Sequence, residues 1–323
     1  MSELVTLEDV RAAADRLEGV VHRTPIDSSS TIAERAGAAA VHLKLENLQR
    51  AGSFKLRGAY NRISRLTEPE RAAGVVTVSA GNHAQGVALA ARIHGVDATV
   101  VMPEHAPAAK VDATEGYGAR VVQEGASYAE LKARADRLIE DQGLTMVHPF
   151  ADPAVIAGQG TLGLELVQQA PAADVAVVPI GGGGLASGVG VALAETATRV
   201  VAVETEGTAH AARAMADGEV HVVDEIDTIA EGIAAGQTEP YTLAHLRAHV
   251  DEVVSVTDAD ARAAMALLAE RAKVVAEPAG ALPVAALLSG AIDAADESVV
   301  AVVSGGNVDL EAFCRFVRAG AGD

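Results

Sequence analysis

Cysteine, tryptophan and positive charge are what this sequence has least of. Its one cysteine, Cys314, excludes an intrachain disulfide and fits a reducing cytosol. Tryptophan is absent and aromatic residues make up 2% of the chain, so Ala, Gly and Val fill much of the apolar share. Lys and Arg together number 25 against 44 Asp and Glu, a formal net charge of −19. Binding phosphate backbones needs clustered cations, so this balance argues against nucleic acid and equally against an anionic membrane surface. The start Met1-Ser2-Glu3 has neither the basic residues nor the apolar run of a secretion signal. Val175 to Ala194 is a long uncharged stretch, but Pro179 and Gly181 to Gly184 break it, so no membrane span is predicted. A cytoplasmic protein is expected. The acids are dispersed rather than gathered in a tail, and Arg far outnumbers Lys. That composition suits a surface bathed in screening salt, and a salt-loving source is the expectation.

What the chain does have is apolar bulk and a regular rhythm. Half of its 323 residues are apolar, ample for one large domain or two modest ones. Thr6 precedes Leu7, Val10, Ala14 and Leu17 at helical spacing. From there β runs and helical runs alternate: strands at 75–78, 99–102, 120–122, 175–178, 200–203 and 299–303, helices at 82–94, 107–117, 128–141, 185–195, 258–273 and 310–317. Strands alternating with long helices mean parallel sheets covered on both faces. The pattern predicts an α/β protein with two open, twisted parallel-sheet domains flanked by helices. The boundaries are set at 1–52 plus 148–323 for a large domain and 53–147 for a small one that closes over a cleft.

Four segments put small residues or backbone donors beside a strand end or a helix start. In Gly52-Ser53-Phe54-Lys55-Leu56-Arg57-Gly58, Ser53 can cap a helix, which would set the Lys55 amine near a helix N-terminus, where positive charge is disfavoured. An exposed lysine on an amphipathic helix is the plainer alternative. Ser79-Ala80-Gly81-Asn82-His83 follows a strand and offers unpaired N–H groups to a carboxylate or phosphate. Gly181-Gly182-Gly183-Gly184-Leu185 lies between strand and helix, where backbone N–H groups can close round a phosphate. It also fits the loose dinucleotide pattern through Gly181, Gly183 and Ala186, with Glu204 about twenty residues on. A nicotinamide-binding oxidoreductase therefore stays open on that segment alone. Ser304-Gly305-Gly306-Asn307 ends another strand, where a serine can reach a flat ligand in a crevice.

Taken in order, these segments resemble the fold-type II pyridoxal-phosphate enzymes, in the branch of threonine/serine dehydratases and serine racemases. The resemblance includes Thr24-Pro25, Lys44-Leu45-Glu46-Asn47, Ala230-Glu231-Gly232-Ile233 and Glu277-Pro278-Ala279-Gly280, and so covers nearly the whole chain. It implies that Lys55 binds pyridoxal 5′-phosphate as a Schiff base and removes the substrate Cα proton. Phe54 is then expected against the cofactor ring, Asn82 on its 3′-oxygen, and Gly181, Gly182, Gly183, Gly184 and Leu185 round its phosphate. Ser304 is expected on the ring nitrogen, with Gly232 and Glu277 lining the site. Ser79, Gly81, Asn82 and His83 are expected to grip the substrate carboxylate.

The resemblance also narrows the reaction. A neutral serine partner leaves the ring nitrogen unprotonated, which suits loss of a β-hydroxyl better than a long-lived carbanion. Serine racemases of this branch carry a second serine at the position of Ala80, so one-sided elimination is favoured here. Deamination of L-threonine to 2-oxobutanoate and ammonia is the expected reaction, with L-serine to pyruvate beside it. Serine racemase and 3-hydroxyaspartate dehydratase are the alternatives on the same scaffold. No metal centre is expected, and a homodimer or higher homo-oligomer acting on a small amino acid is.

Overall fold

The computed structural model describes residues 3–322. Among these residues ten strands form two sheets. The first is six-stranded in the order β1 (Ile26–Ser28), β2 (Ala40–Leu45), β10 (Ser298–Val303), β7 (Val175–Pro179), β8 (Arg199–Thr205) and β9 (Glu252–Val256). Only β1 runs antiparallel to its neighbour. The second is four-stranded and parallel, in the order β5 (Arg120–Gln123), β4 (Ala98–Met102), β3 (Val75–Val78) and β6 (Thr145–Met146). Helices follow most strands, as parallel crossovers require. Among the described residues no helix is long and apolar enough to cross a membrane.

Both faces of the central strands of the large sheet are dry. Val299, Ala301 and Val303 of β10 face one apolar cluster while Val300 and Val302 face another, and Val175 and Val177 alternate with Ala176 and Val178 in the same way. This is why these strands read as unbroken apolar runs. The helix Pro153–Gln169 packs on Gly184–Leu193 through small residues: a Cβ on Gly160 would lie 2.8 Å from the Gly188 carbonyl oxygen. Close backbone approach, not bulky side chains, fills the space that the shortage of aromatics leaves.

The strands and helices expected from the pattern are present, with shifted ends. The helix expected over 258–273 runs from Asp258 to Leu267, widens into a π-helical turn at Leu268–Ala272, and stops at Lys273 in the left-handed region (φ 60°). Ser53 does not cap its helix. The helix Lys55–Ser64 starts after Phe54, which is itself helical and offers no side-chain cap. Ser53 instead stays extended and bridges Gly305, a long-range pairing that local capping chemistry does not anticipate.

Candidate functional site

Strand ends and helix starts from both sheets meet around Lys55. The lysine opens its helix, and its segment is stitched to the loop after β10: Phe54 N–H donates to the Ser304 carbonyl (3.1 Å) and Gly306 N–H to the Gly52 carbonyl (2.9 Å). The Lys55 ammonium nitrogen lies 5.2 Å from the centre of the Phe54 ring and donates to the Pro149 carbonyl (3.0 Å). Burial pushes its pKa down to about 8, with the Glu277 carboxylate pulling the other way. An amine held there is deprotonated far more often near neutral pH than an ordinary lysine, as a nucleophile or base needs.

The glycine run sits between β7 and the helix Gly184–Leu193. Gly183 is left-handed (φ 95°) and turns the chain into the helix. A Cβ on Gly181 would lie 2.7 Å from the Ile233 carbonyl oxygen, one on Gly184 would lie 2.9 Å from Phe150 Cα, and one on Gly182 would collide with the Phe150 ring. The run is therefore glycine because backbone and ring press on it, and its N–H groups are left bare at a helix start. Leu185 is buried and packs its side chain into the large-sheet core, so only its backbone faces this helix start. The His210 Nε2 group contacts the Gly181 carbonyl (3.2 Å) from below.

Asn82 begins the helix after β3. Its Nδ2 donates to Glu277 Oε1 (2.6 Å), and its Oδ1 accepts from Asn307 Nδ2 (2.8 Å). Burial lifts Glu277 to about 7, although the Asn82 donor favours its charged form. Gly232 lies against Glu277, 3.4 Å from would-be Cβ to Oε1. Ser79 Oγ accepts from Gly81 N–H (3.2 Å), which shapes the turn ahead of Asn82. The buried His83 ring donates from Nε2 to the Val147 carbonyl (2.9 Å), and burial drives its pKa down to about 3. What His83 offers the cleft is thus its backbone N–H. Ser304 is buried, and none of the described residues hydrogen-bonds its hydroxyl.

The structure so gathers Lys55, Phe54, Ser304, Glu277, Gly232 and Asn82 through direct contacts, and brings the glycine run to the same cleft through Phe150. Pattern reading passed over His148, Pro149 and Phe150, which form a turn, and Asn307, which it quoted only as part of a motif. Turn residues without periodicity carry no local signal for the partner they will meet. Thr24, Lys44 and Glu46, quoted for the resemblance, do not line the cleft but join a buried ion network behind it. Glu204 is not available to a ribose hydroxyl: its oxygens accept N–H groups from His210 (3.1 Å), Ala211 (2.9 Å) and Ala212 (3.1 Å). The nicotinamide reading loses its acid partner.

The chain is 46% identical over 319 residues to an L-threonine ammonia-lyase from Thermotoga maritima, covering 98% of this chain and 79% of the relative. It superposes on a maize serine racemase with a TM-score of 0.93 at 37% identity, covering 97% of both chains. The processed form of threonine deaminase isoform 2 from Solanum lycopersicum gives a TM-score of 0.91 at 34% identity, over 98% of this chain and 87% of the other. The sequence profile of pyridoxal-phosphate-dependent enzymes matches residues 17–305, and the chain belongs to that family.

Proposed function

We propose that this protein converts L-threonine to 2-oxobutanoate and ammonia, with L-serine to pyruvate as a side activity. The observation that carries the reading is the Lys55 amine, set among dense protein with a lowered pKa and held by one backbone carbonyl, in a cleft that the glycine run also borders. The residues fit pyridoxal phosphate. A phosphate needs the bare N–H groups of Gly181, Gly182, Gly183, Gly184 and Leu185, in a turn whose shape a side chain at Gly182 would disturb by meeting the Phe150 ring. A ring needs an apolar wall, which Phe54 supplies, and polar partners at its edge, for which the Ser304 hydroxyl and the Asn82 amide are suited. Gly232 and Glu277 complete the lining.

Bound there, the cofactor supplies an electron sink at the substrate Cα. Lys55 Nζ takes the Cα proton, and its depressed pKa keeps the amine unprotonated and available for that step. Asn82 and His83 orient the substrate carboxylate through the free N–H groups of their helix start, while Ser79 and Gly81, whose N–H groups are bonded to the Val101 carbonyl and to Ser79 Oγ, shape the turn ahead of them. Loss of the β-hydroxyl as water and uptake of one water on release of ammonia balance threonine against 2-oxobutanoate plus ammonia. Ala80 offers no second acid or base, which supports elimination over racemisation. The likeness to the maize serine racemase keeps racemisation as the second reading. Residues 53–147 form the domain that closes on residues 1–52 plus 148–323 in this reading, and the family resemblance supports a homo-oligomer in the cytoplasm.

The test is chemical. Purified protein should carry a near-visible cofactor band that borohydride removes, with the reduced adduct on Lys55 and on none of the other four of its five lysines. L-Threonine should give 2-oxobutanoate, and Lys55→Ala should abolish it. An adduct on another lysine, or D-serine from L-serine without oxo acid, would overturn the reading.

A further inference from the structure

Between the lysine and the glycine run lies the turn His148 to Ala151, which leads from β6 into the helix Pro153–Gln169. It touches both. The Pro149 carbonyl accepts from Lys55 Nζ (3.0 Å), and Phe150 presses on Gly182 and Gly184. A side chain closes this turn: His148 Nδ1 accepts from the backbone N–H groups of Phe150 (3.3 Å) and Ala151 (2.8 Å). The two rings also meet edge to face, 4.7 Å apart at 86°. A nitrogen that accepts two N–H groups carries no proton, so the ring is the neutral tautomer with its hydrogen on Nε2. Protonation would set a third donor against the two backbone donors and release the turn.

We propose that His148 is a positioning residue: its neutral imidazole holds Pro149 on Lys55 and Phe150 against the glycine run, and the cofactor site loosens when the ring takes up a proton. The role rests on reading the cleft as the cofactor site. The surroundings favour the neutral form. Burial lowers the pKa of His148 most, and Lys55 from its own helix and Lys132 from Tyr128–Gln142 push the same way. Asp152, at the start of Pro153–Gln169, and Glu239, at the start of Pro240–His249, push back. His83 from Asn82–His94 also feels the charge of this ring and is itself held neutral.

Residue-resolved amide exchange on the full-length holoenzyme across pH tests this, with pyridoxal-phosphate retention by equilibrium dialysis alongside. Wild-type protein should protect the Phe150 and Ala151 amides at neutral and alkaline pH and lose that protection as pH falls below the ordinary imidazole range. His148→Asn supplies an acceptor oxygen that does not titrate, and should keep both protection and retention level across the same range. His148→Ala should lose protection at every pH by about tenfold, the loss of a net hydrogen bond or two. Equal acid slopes in wild type and His148→Asn would overturn the proposal, as would undiminished protection in His148→Ala. If His148→Ala does not fold, the comparison of wild type with His148→Asn decides alone. A wild-type protein with no cofactor on Lys55 would sink the cofactor reading, while the exchange pattern would still judge the turn.

Discussion

At the scale of single residues, the orientation of one amide matters most. Asn307 Nδ2 donates both to Asn82 Oδ1 (2.8 Å) and to the Ala51 carbonyl (2.8 Å). With its oxygen engaged, Asn82 must turn its NH2 group to Glu277 and the cleft, since a flipped amide would set donor against donor. Gly52 allows this contact: it is left-handed (φ 70°), and a Cβ there would run into the Asn307 side chain. Asn307→Ala should leave the fold intact and let the Asn82 amide rotate. Pyridoxal-phosphate retention should weaken about fivefold, the worth of a net hydrogen bond, and equilibrium dialysis reads it directly. The sequence brought Asn82 forward because it follows a strand, but nothing in its neighbourhood pointed to a partner 225 positions away.

At the scale of elements, the helix Lys55–Ser64 is held from behind by charge. Arg57 is fully buried and grips Glu46 with two nitrogens (2.8 and 2.7 Å) and Glu165 with a third (2.7 Å). Burial alone would lower its pKa, but the two carboxylates raise it above the ordinary value. Lys44 pairs with Glu165 and donates to the Thr24 carbonyl (2.9 Å), and Thr24 Oγ1 donates to Glu46 (2.5 Å). β2, the segment before β1 and the helix Pro153–Gln169 are thereby fixed to the base of the lysine helix. Arg57→Met would leave the buried Glu46 and the partly buried Glu165 with Lys44 as their remaining cation. It should cost about 3–5 kcal/mol, read as a lower midpoint in urea, because a buried charge that loses its partner keeps its desolvation penalty. A midpoint unchanged from wild type would mean that packing, not the ion network, holds the helix. Nothing in the residues next to Arg57 along the sequence marks it as buried. Its burial depends on carboxylates from the residue after β2 and from Pro153–Gln169.

At the scale of the whole molecule, the loops after the C-terminal ends of β3, β6, β7 and β10 come together near Lys55, the end of such sheets where ligands bind. The chain carries 44 acids against 25 bases, and the exposed pairs among the described residues do not offset that excess. Raising salt from 0.1 M to 1 M shortens the screening length from about 10 Å to about 3 Å, and so weakens the self-repulsion of the folded state. The thermal midpoint should therefore rise with salt over that range. A midpoint flat in salt would show that the acids are far enough apart to be screened already.

By itself, the sequence determined the alternation of β runs and helices, the parallel sheets, the bare glycine run and the lysine beside a helix start. These follow from local periodicity and from backbone geometry that only glycine permits. Its segments, taken in order, also carried the resemblance to the pyridoxal-phosphate family. Tertiary structure alone decided what each group faces: Ser53 bridging Gly305 rather than capping, Glu204 occupied by a helix start, His83 turned to Val147, and His148 closing the turn that Lys55 leans on. The reason is one of range. Period and capping act over three or four residues, whereas Ser53 and His83 find partners far along the chain and desolvation is set by whatever packs around a group; Glu204 and His148 bond nearby, but through turns that carry no periodic signal.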